Sequence, residues 1–311
     1  MDSTLLRLLI KPRHWLPGIA LGALYLINIL PYPVKIRIGF GIGKLAHLLV
    51  RRRKHIASVN LQVCFPQLTD DERLDLLKST FDNFGAGLIE MAMGWWTDPE
   101  IVHAMTEVEG LQHLNEASAK GKGVLLVGGH YSSLDLAAKF VSNYYVAHAV
   151  HRLQKNELIN YFLEECRATS VKSLISYRSG RKIIGALRSG EIVWFAPDHD
   201  MGKQLSVYAP FFGHPAATLT APGKLTKMTG ATTLVYSHHR KPDNKGYKVQ
   251  FRPVPDDFPT MDDVECATVL NGMLEEQICI DPAQYYWFHR RFKTQADLPR
   301  ASLYKKVSSE N

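Results

Sequence analysis

Between residues 124 and 196, four short apolar runs (124–128, 146–150, 173–177 and 192–196) alternate with helical patterns at 133–142, 157–168 and 181–187. Runs of that length, rich in branched residues and separated by helices, belong to strands covered on both faces. The alternation predicts an α/β fold: a mainly parallel central sheet covered by helices. Further on, residues 232–237 and 247–254 flank Lys241-Pro-Asp-Asn-Lys-Gly246, which predicts a hairpin-type loop, and 261–280 predicts a last helix. Upstream, Thr69-Asp70-Asp71-Glu72 predicts a helix start with an acidic first turn, leading into an amphipathic stretch to about Trp96. The chain of 311 residues is long enough for a substantial core, and it contains no internal repeat and no linker rich in Gly, Ser or Pro.

The N-terminus has a different texture. From Arg13 to Lys35 no residue carries a full charge apart from the titratable His14, and 16–30 is almost continuously apolar. Twenty helical residues cover about 30 Å, so 15–34 predicts a hydrophobic membrane helix just long enough to cross, with Trp15 and Tyr32 at its two ends; a monotopic anchor and a buried core helix are the alternatives. No A-x-A-like cleavage site follows, which argues against a secretory signal. The division expected is an anchor over 1–34 and a catalytic domain over 35–311. Basic residues are more numerous after the segment than before it, with Arg51-Arg52-Arg53-Lys54 the densest run, which places the body on the cytoplasmic side.

The formal charge of +7 points to anionic partners without choosing among them. Four cysteines without a C-x-x-C pair read as reduced thiols. Gly41-Ile-Gly43-Lys-Leu-Ala46 fits a loose dinucleotide fingerprint, but the first acid after it is Asp70, so these glycines read as helix packing. The basic run stands without a helix-turn-helix, zinc-finger or RNP pattern, which excludes nucleic acid as the expected partner and leaves a solvated or lipid-facing patch. His148-x-x-His151 and His238-His239 lack a third ligand at matching spacing, so no metal is expected.

Chemistry concentrates at Val124-Leu-Leu-Val-Gly-Gly-His130-Tyr-Ser-Ser-Leu-Asp135. A second His-x4-Asp pair, His238 and Asp243, lies across Pro242 in the hairpin-type loop and reads as a chance match. The first follows an apolar strand and two glycines and enters a helix that Ser132 or Ser133 can cap. His130 therefore sits at the carboxyl end of a strand, where open α/β sheets place their ligands. A carboxylate on one ring nitrogen, expected to be that of Asp135, leaves the other nitrogen to take a proton. G-x-S-x-G is absent, so the attacking group is a substrate hydroxyl, and the dyad suits direct acyl transfer from a thioester to an alcohol. Backbone N–H groups at the helix start are the expected oxyanion donors.

Other apolar runs also end in charge: Val150-His151-Arg152, Tyr177-Arg178 and Phe195-Ala-Pro-Asp198-His-Asp200. In a parallel sheet these converge on the crest that carries His130. Arginines there suit a bidentate grip on phosphate or carboxylate.

With these residues in view, the chain resembles the late acyltransferases of lipid A biosynthesis, relatives of the glycerolphosphate acyltransferases. The marks are Asn60-Leu-Gln-Val-Cys-Phe-Pro66, the His130–Asp135 box, Phe195-Ala-Pro-Asp-His-Asp200, Pro210-Phe-Phe-Gly213 with Pro215-Ala-Ala-Thr218, and Tyr286-Trp-Phe-His-Arg-Arg-Phe-Lys293. The resemblance implies an inner-membrane enzyme of Gram-negative bacteria facing the cytoplasm and seated among membrane phospholipids. It implies transfer of a fatty acyl chain from acyl carrier protein, as co-substrate and with no cofactor, to the hydroxyl of a 3-hydroxyacyl chain on a lipid A precursor. It makes His130 the general base and Asp135 its partner, and assigns Arg152, Arg167 and Asp198 to substrate binding. Asp135 stands where many members of the family carry Glu. A glycerophospholipid acyltransferase with the same dyad, and a non-catalytic lipid-binding protein, are the competing readings.

Overall fold

The structure, a computed structural model, describes residues 3–295 and 303–304. Seven strands form one sheet: β1 (Thr106–Glu109), β2 (Val124–Gly128), β3 (His148–His151), β4 (Ser173–Ser176), β5 (Ile192–Phe195), β8 (Thr232–Arg240) and β9 (Tyr247–Pro253), in the order β1-β9-β8-β2-β5-β3-β4. Every neighbouring pair is parallel except β8 and β9, the hairpin around residues 241–246. A separate antiparallel pair, β6 (Ser206–Phe211) and β7 (His214–Leu219), was not legible in the sequence, because its alternation is interrupted by Pro210 and Pro215.

The α/β reading holds. β2 is buried along its whole length because helices cover both faces. Val124 and Leu126 pack on one side with residues of helices α5 (Asp70–Trp96), α7 (Leu111–Ala119) and α8 (Ala137–Val141), including Met93, Leu114 and Phe140. Leu125 and Val127 pack on the other with α10 (Gly180–Arg188), α11 (Ala221–Thr229) and α12 (Asp263–Ile278), through Leu187, Leu225 and Leu270. Burying one such aliphatic side chain contributes about 1.5–3 kcal/mol, so this double cover dominates the stability of the central strand. α5 starts where the sequence places it: Thr69 and Glu72 form a reciprocal capping box.

The N-terminal expectation is corrected. In place of one crossing helix there are α1 (Ser3–Leu9), α2 (Trp15–Asn28) and α3 (Tyr32–Leu49), and among the described residues no helix is long and apolar enough to cross a membrane. Pro31 breaks the run: it adopts φ −56°, ψ 143°, and a proline ring cannot continue the helix through its own missing N–H. Lys35, which bounds the apolar segment in the sequence, is buried and donates to the Asn28 carbonyl across the break at 3.2 Å. The Gly41–Gly43 stretch is helical, as the packing reading requires. A Cβ on Gly43 would stand 2.2 Å from the Phe81 carbonyl oxygen, so α3 lies directly on α5.

α4 (Arg51–Cys64) carries the basic run and then Asn60, whose amide donates to the Trp287 and His289 carbonyls at 2.7 Å each. α6 (Pro99–Ala104) leads into β1, and α9 (Glu157–Ala168) lies between β3 and β4.

Candidate active site

β2 and β5 are neighbours, with Val127 opposite Phe195. Three residues beyond each partner stand His130 and Asp198, so both side chains leave the same crest of the sheet. His130 Nδ1 donates to Asp198 Oδ1 at 2.6 Å, and the His130 backbone N–H donates to Oδ2 at 2.9 Å. The hydroxyl of Tyr285 gives Oδ2 another bond, also 2.9 Å. Burial opposes charge on Asp198, yet the His130 imidazole and its hydrogen bonds outweigh it and hold the carboxyl far below the usual range. An ionised, acceptor-only carboxylate fixes the proton on Nδ1 and leaves Nε2 as the basic nitrogen of the ring.

This corrects the expected pairing. Asp135 was assigned to the imidazole; its carboxylate instead accepts from Arg167, at 2.8 Å from Nε and 2.7 Å from Nη2. Asp198 was assigned to the substrate pocket and is the residue that holds His130. The chain turns after His130 through a short 3-10 segment, Leu134–Leu136, before α8. Ser133 does not cap it: its hydroxyl pairs with His238 Nδ1 at 2.8 Å. The oxyanion expectation also meets an obstacle, since the N–H groups of Ser132, Leu134 and Leu136 are spent on the carbonyls of Gln284, Tyr131 and Ser133.

α5 supports this turn from behind. A Cβ on Gly87 would lie 2.8 Å from the Ser132 carbonyl oxygen, and one on Gly94 would lie 2.5 Å from that of Asp135. Only glycine lets the helix backbone approach so closely.

Histidines that the sequence reading did not single out complete the centre. The His199 ring stacks on His130 with centroids 3.8 Å apart and planes 8° from parallel, and His289 stacks on the far face of His199 at 4.0 Å. Burial, then the neighbouring His130, pushes His199 down to about 2, and burial pushes His289 down to about 4, so both are neutral platforms near neutral pH. Their signal lay in the two motifs Phe195–Asp200 and Tyr286–Lys293, each of which carries one of them. His130, Asp198 and His199 lie close enough together to be considered as metal ligands. The donor set favours a hydrogen-bonded relay instead, because Asp198 already accepts three hydrogen bonds from protein donors. Asp200 serves the same region structurally, accepting from the backbone and hydroxyl of Thr294.

A cavity of about 780 Å³ opens over His130. Asp135, Arg152 and Arg167 line it, so the sequence-derived residues do converge on one site, with Asp198 buried beneath His130. Apolar side chains line it as well, among them Leu126, Ala137, Val141, Ala147 and Phe84. Arg53, read from the sequence as part of a solvated or lipid-facing patch, also lines it and donates to the Phe288 carbonyl at 2.8 Å. Tyr177 reaches the cavity wall, and Arg178 turns back to the Tyr177 hydroxyl. His238 is buried at 1% exposure within β8, and Asp243 is exposed at the hairpin tip, so that pair shares no site.

A carboxylate-held imidazole at the crest of a parallel sheet, facing a large apolar cavity ringed by cations, defines an α/β enzyme that works on an amphiphilic anionic substrate. Sequence comparison gives the family: the one described as bacterial lipid A biosynthesis acyltransferase matches residues 4–294, and the chain belongs to it. It is 40% identical to the lipid A biosynthesis lauroyltransferase of Escherichia coli (strain K12) over 292 residues, 93% of this chain and 95% of that protein. With the palmitoleoyltransferase of the same organism the figures are 37% over 296 residues, 95% and 96%. With its myristoyltransferase they are 27% over 294 residues, 91% and 88%. The chain is thus an acyltransferase of late lipid A biosynthesis.

Proposed function

We propose that this enzyme transfers a fatty acyl chain from the thioester of acyl carrier protein to the hydroxyl of a 3-hydroxyacyl chain on a lipid A precursor, with His130 as general base. The observation that carries this reading is the 2.6 Å bond between His130 Nδ1 and the ionised Asp198. His130 Nε2 removes the proton of the acceptor hydroxyl as its oxygen attacks the thioester carbonyl carbon. Asp198 stabilises the imidazolium that results. When the C–S bond breaks, the imidazolium returns the proton to the departing sulfur, giving the new ester and a free thiol. The apolar walls suit acyl chains, and Arg152 is placed to meet anionic parts of either substrate. Arg167 and Asp135 form one unit that shapes the wall beside the base.

Attachment to the inner membrane, on the cytoplasmic side where acyl carrier protein is found, belongs to the same proposal. α2 and α3 carry Leu16, Ile19, Leu26, Leu48 and Leu49, each at least 66% exposed. Basic residues stand around them, which suits lying on an anionic leaflet. The test is transfer by the purified full-length protein, read by mass spectrometry of the lipid product. A gain of one acyl chain on the lipid A precursor is expected, absent with His130→Ala. Acylation of lysophosphatidate but not of the precursor would replace this reading with glycerophospholipid synthesis.

A further inference from the structure

Cations from several elements line the cavity. Arg152 and Arg167 come from the β3–α9 side, and Arg167 is committed to Asp135. From other elements come Arg53 on α4 and Lys293 in the segment that carries His289. The Arg53 guanidinium is held by one nitrogen only, Nη1 on the Phe288 carbonyl, and among the described residues no carboxylate lies within ion-pair distance of it. Its place is fixed, because α4 is also tied to this segment by the two Asn60 bonds to Trp287 and His289. Lys293 has only a 3.9 Å contact with Asp200, whose carboxylate is occupied by Thr294 and Gly202. His289 lines the same cavity, with its Nε2 buried and without a partner among the described residues.

We infer that Arg53, Lys293 and His289 form a second anion subsite of the catalytic cavity, built for a phosphoryl group. This deepens the acyl-transfer reading and rests on it for which substrate brings the phosphate. A phosphoryl group is favoured over a carboxylate by donor count. A guanidinium edge, an ammonium and a ring N–H match three acceptor oxygens bearing nearly two charges. A phosphomonoester of the lipid acceptor meets this count; the phosphopantetheine arm of the donor carries a phosphodiester, with two free oxygens and one charge, and is the other source that the experiment separates. With Arg152 lining the same cavity, the subsite gives a substrate a second point of attachment and so helps to set the reacting groups at His130.

The experiment compares full-length wild type, Arg53→Gln and Lys293→Gln, with Arg188→Gln as an exposed control remote from the cavity. KM is measured for a phosphorylated and a dephosphorylated disaccharide lipid acceptor, and separately for acyl carrier protein against an acyl-pantetheine without phosphate. Each cavity variant is expected to raise KM about tenfold or more for one phosphorylated substrate. The penalty should shrink below about threefold when that substrate lacks its phosphate, while Arg188→Gln matches wild type. The arm in which this happens says which substrate carries the group. Lys293→Gln guards the result, since Arg53→Gln also loses a bond to the Phe288 carbonyl. Wild-type KM in both arms, or a penalty independent of phosphate, overturns the subsite. If wild type itself transfers to neither acceptor, the acyl-transfer reading fails instead. Titration with inorganic phosphate then still decides the subsite: saturable binding to wild type that is lost in the two variants supports it, and no binding overturns it.

Discussion

His130 Nδ1 and Asp198 Oδ1 lie 2.6 Å apart although 68 positions separate the two residues in the chain. The parallel register of β2 and β5 makes the contact, since each residue stands three places past a paired position. Asp198→Asn removes the anion that fixes the imidazole tautomer, and kcat is expected to fall by about 10³-fold or more. Asp135→Asn is expected to cost less, because Asp135 acts through Arg167. Steady-state kinetics of the two purified variants decides the order; a more severe Asp135→Asn would return the dyad to the pairing that the spacing suggests.

Arg167 and Asp135 are expected to behave as one unit. A double-mutant cycle with Arg167→Gln and Asp135→Asn should show a coupling of about 0.5–3 kcal/mol in kcat/KM, with the double variant little worse than either single one. Additive losses would mean that each residue meets the substrate independently.

His238 shares no site with Asp243, but it is buried and does structural work. It bonds Ser133 beneath the catalytic turn and packs against Tyr131 and Phe140. His238→Ala is expected to cost about 2–4 kcal/mol in urea unfolding, through the cavity left and the stranded Ser133 hydroxyl. Asp243→Ala, at the exposed hairpin tip, should change stability by less than about 0.5 kcal/mol.

Acid should weaken the fold through the same strand. Burial pushes His238 down to about 3 and His239 down to about 4. An unfolded histidine titrates near 6.5, so below about that pH the unfolded chain binds more protons than the folded one. The stability contributed by these two neutral imidazoles is complete above about pH 6.5 and is lost as pH falls toward 4. Each loses at most about 1.4 kcal/mol per pH unit in that window. Urea midpoints measured from pH 7 to pH 5 should fall steadily, and less steeply in a His239→Gln variant. A flat profile would show that the pair is charged or exposed in the folded chain.

Gly94→Ala places a methyl 2.5 Å from the Asp135 carbonyl oxygen. The turn must shift, so a loss of about 1–3 kcal/mol in stability is expected together with reduced kcat. Gly41→Ala, with nothing within 4 Å of the added carbon, is the control and should be neutral or slightly stabilising. Equal melting temperatures for the two variants would contradict the packing described.

Leu16, Ile19 and Leu26 changed together to Ser should reduce flotation with anionic phospholipid vesicles several-fold. Transfer to a detergent-dispersed acceptor should change much less. Their side chains lie 78%, 70% and 66% exposed, so the fold is not expected to suffer. Unchanged flotation would move the membrane contact elsewhere.

Much of this protein was legible in one dimension because the signals are local. The apolar run 124–128 is β2, helix α9 spans Glu157–Ala168 as the periodicity predicts, and Thr69 with Glu72 caps α5. The same holds for His130 and Arg152, since strand polarity alone puts each just past a strand end on the crest. What the chain could not announce was adjacency. Whether Asp135 or Asp198 meets the imidazole depends on β5 lying beside β2, a choice made by helices packing on both faces of the sheet. The His199–His289 stack, the Asn60 clamp on residues 287–289 and the arrival of Arg53 in the cavity are likewise contacts between segments far apart in sequence. The N-terminus failed for the opposite reason: hydropathy averages over twenty residues, and a single ring at Pro31 redirects the backbone within it.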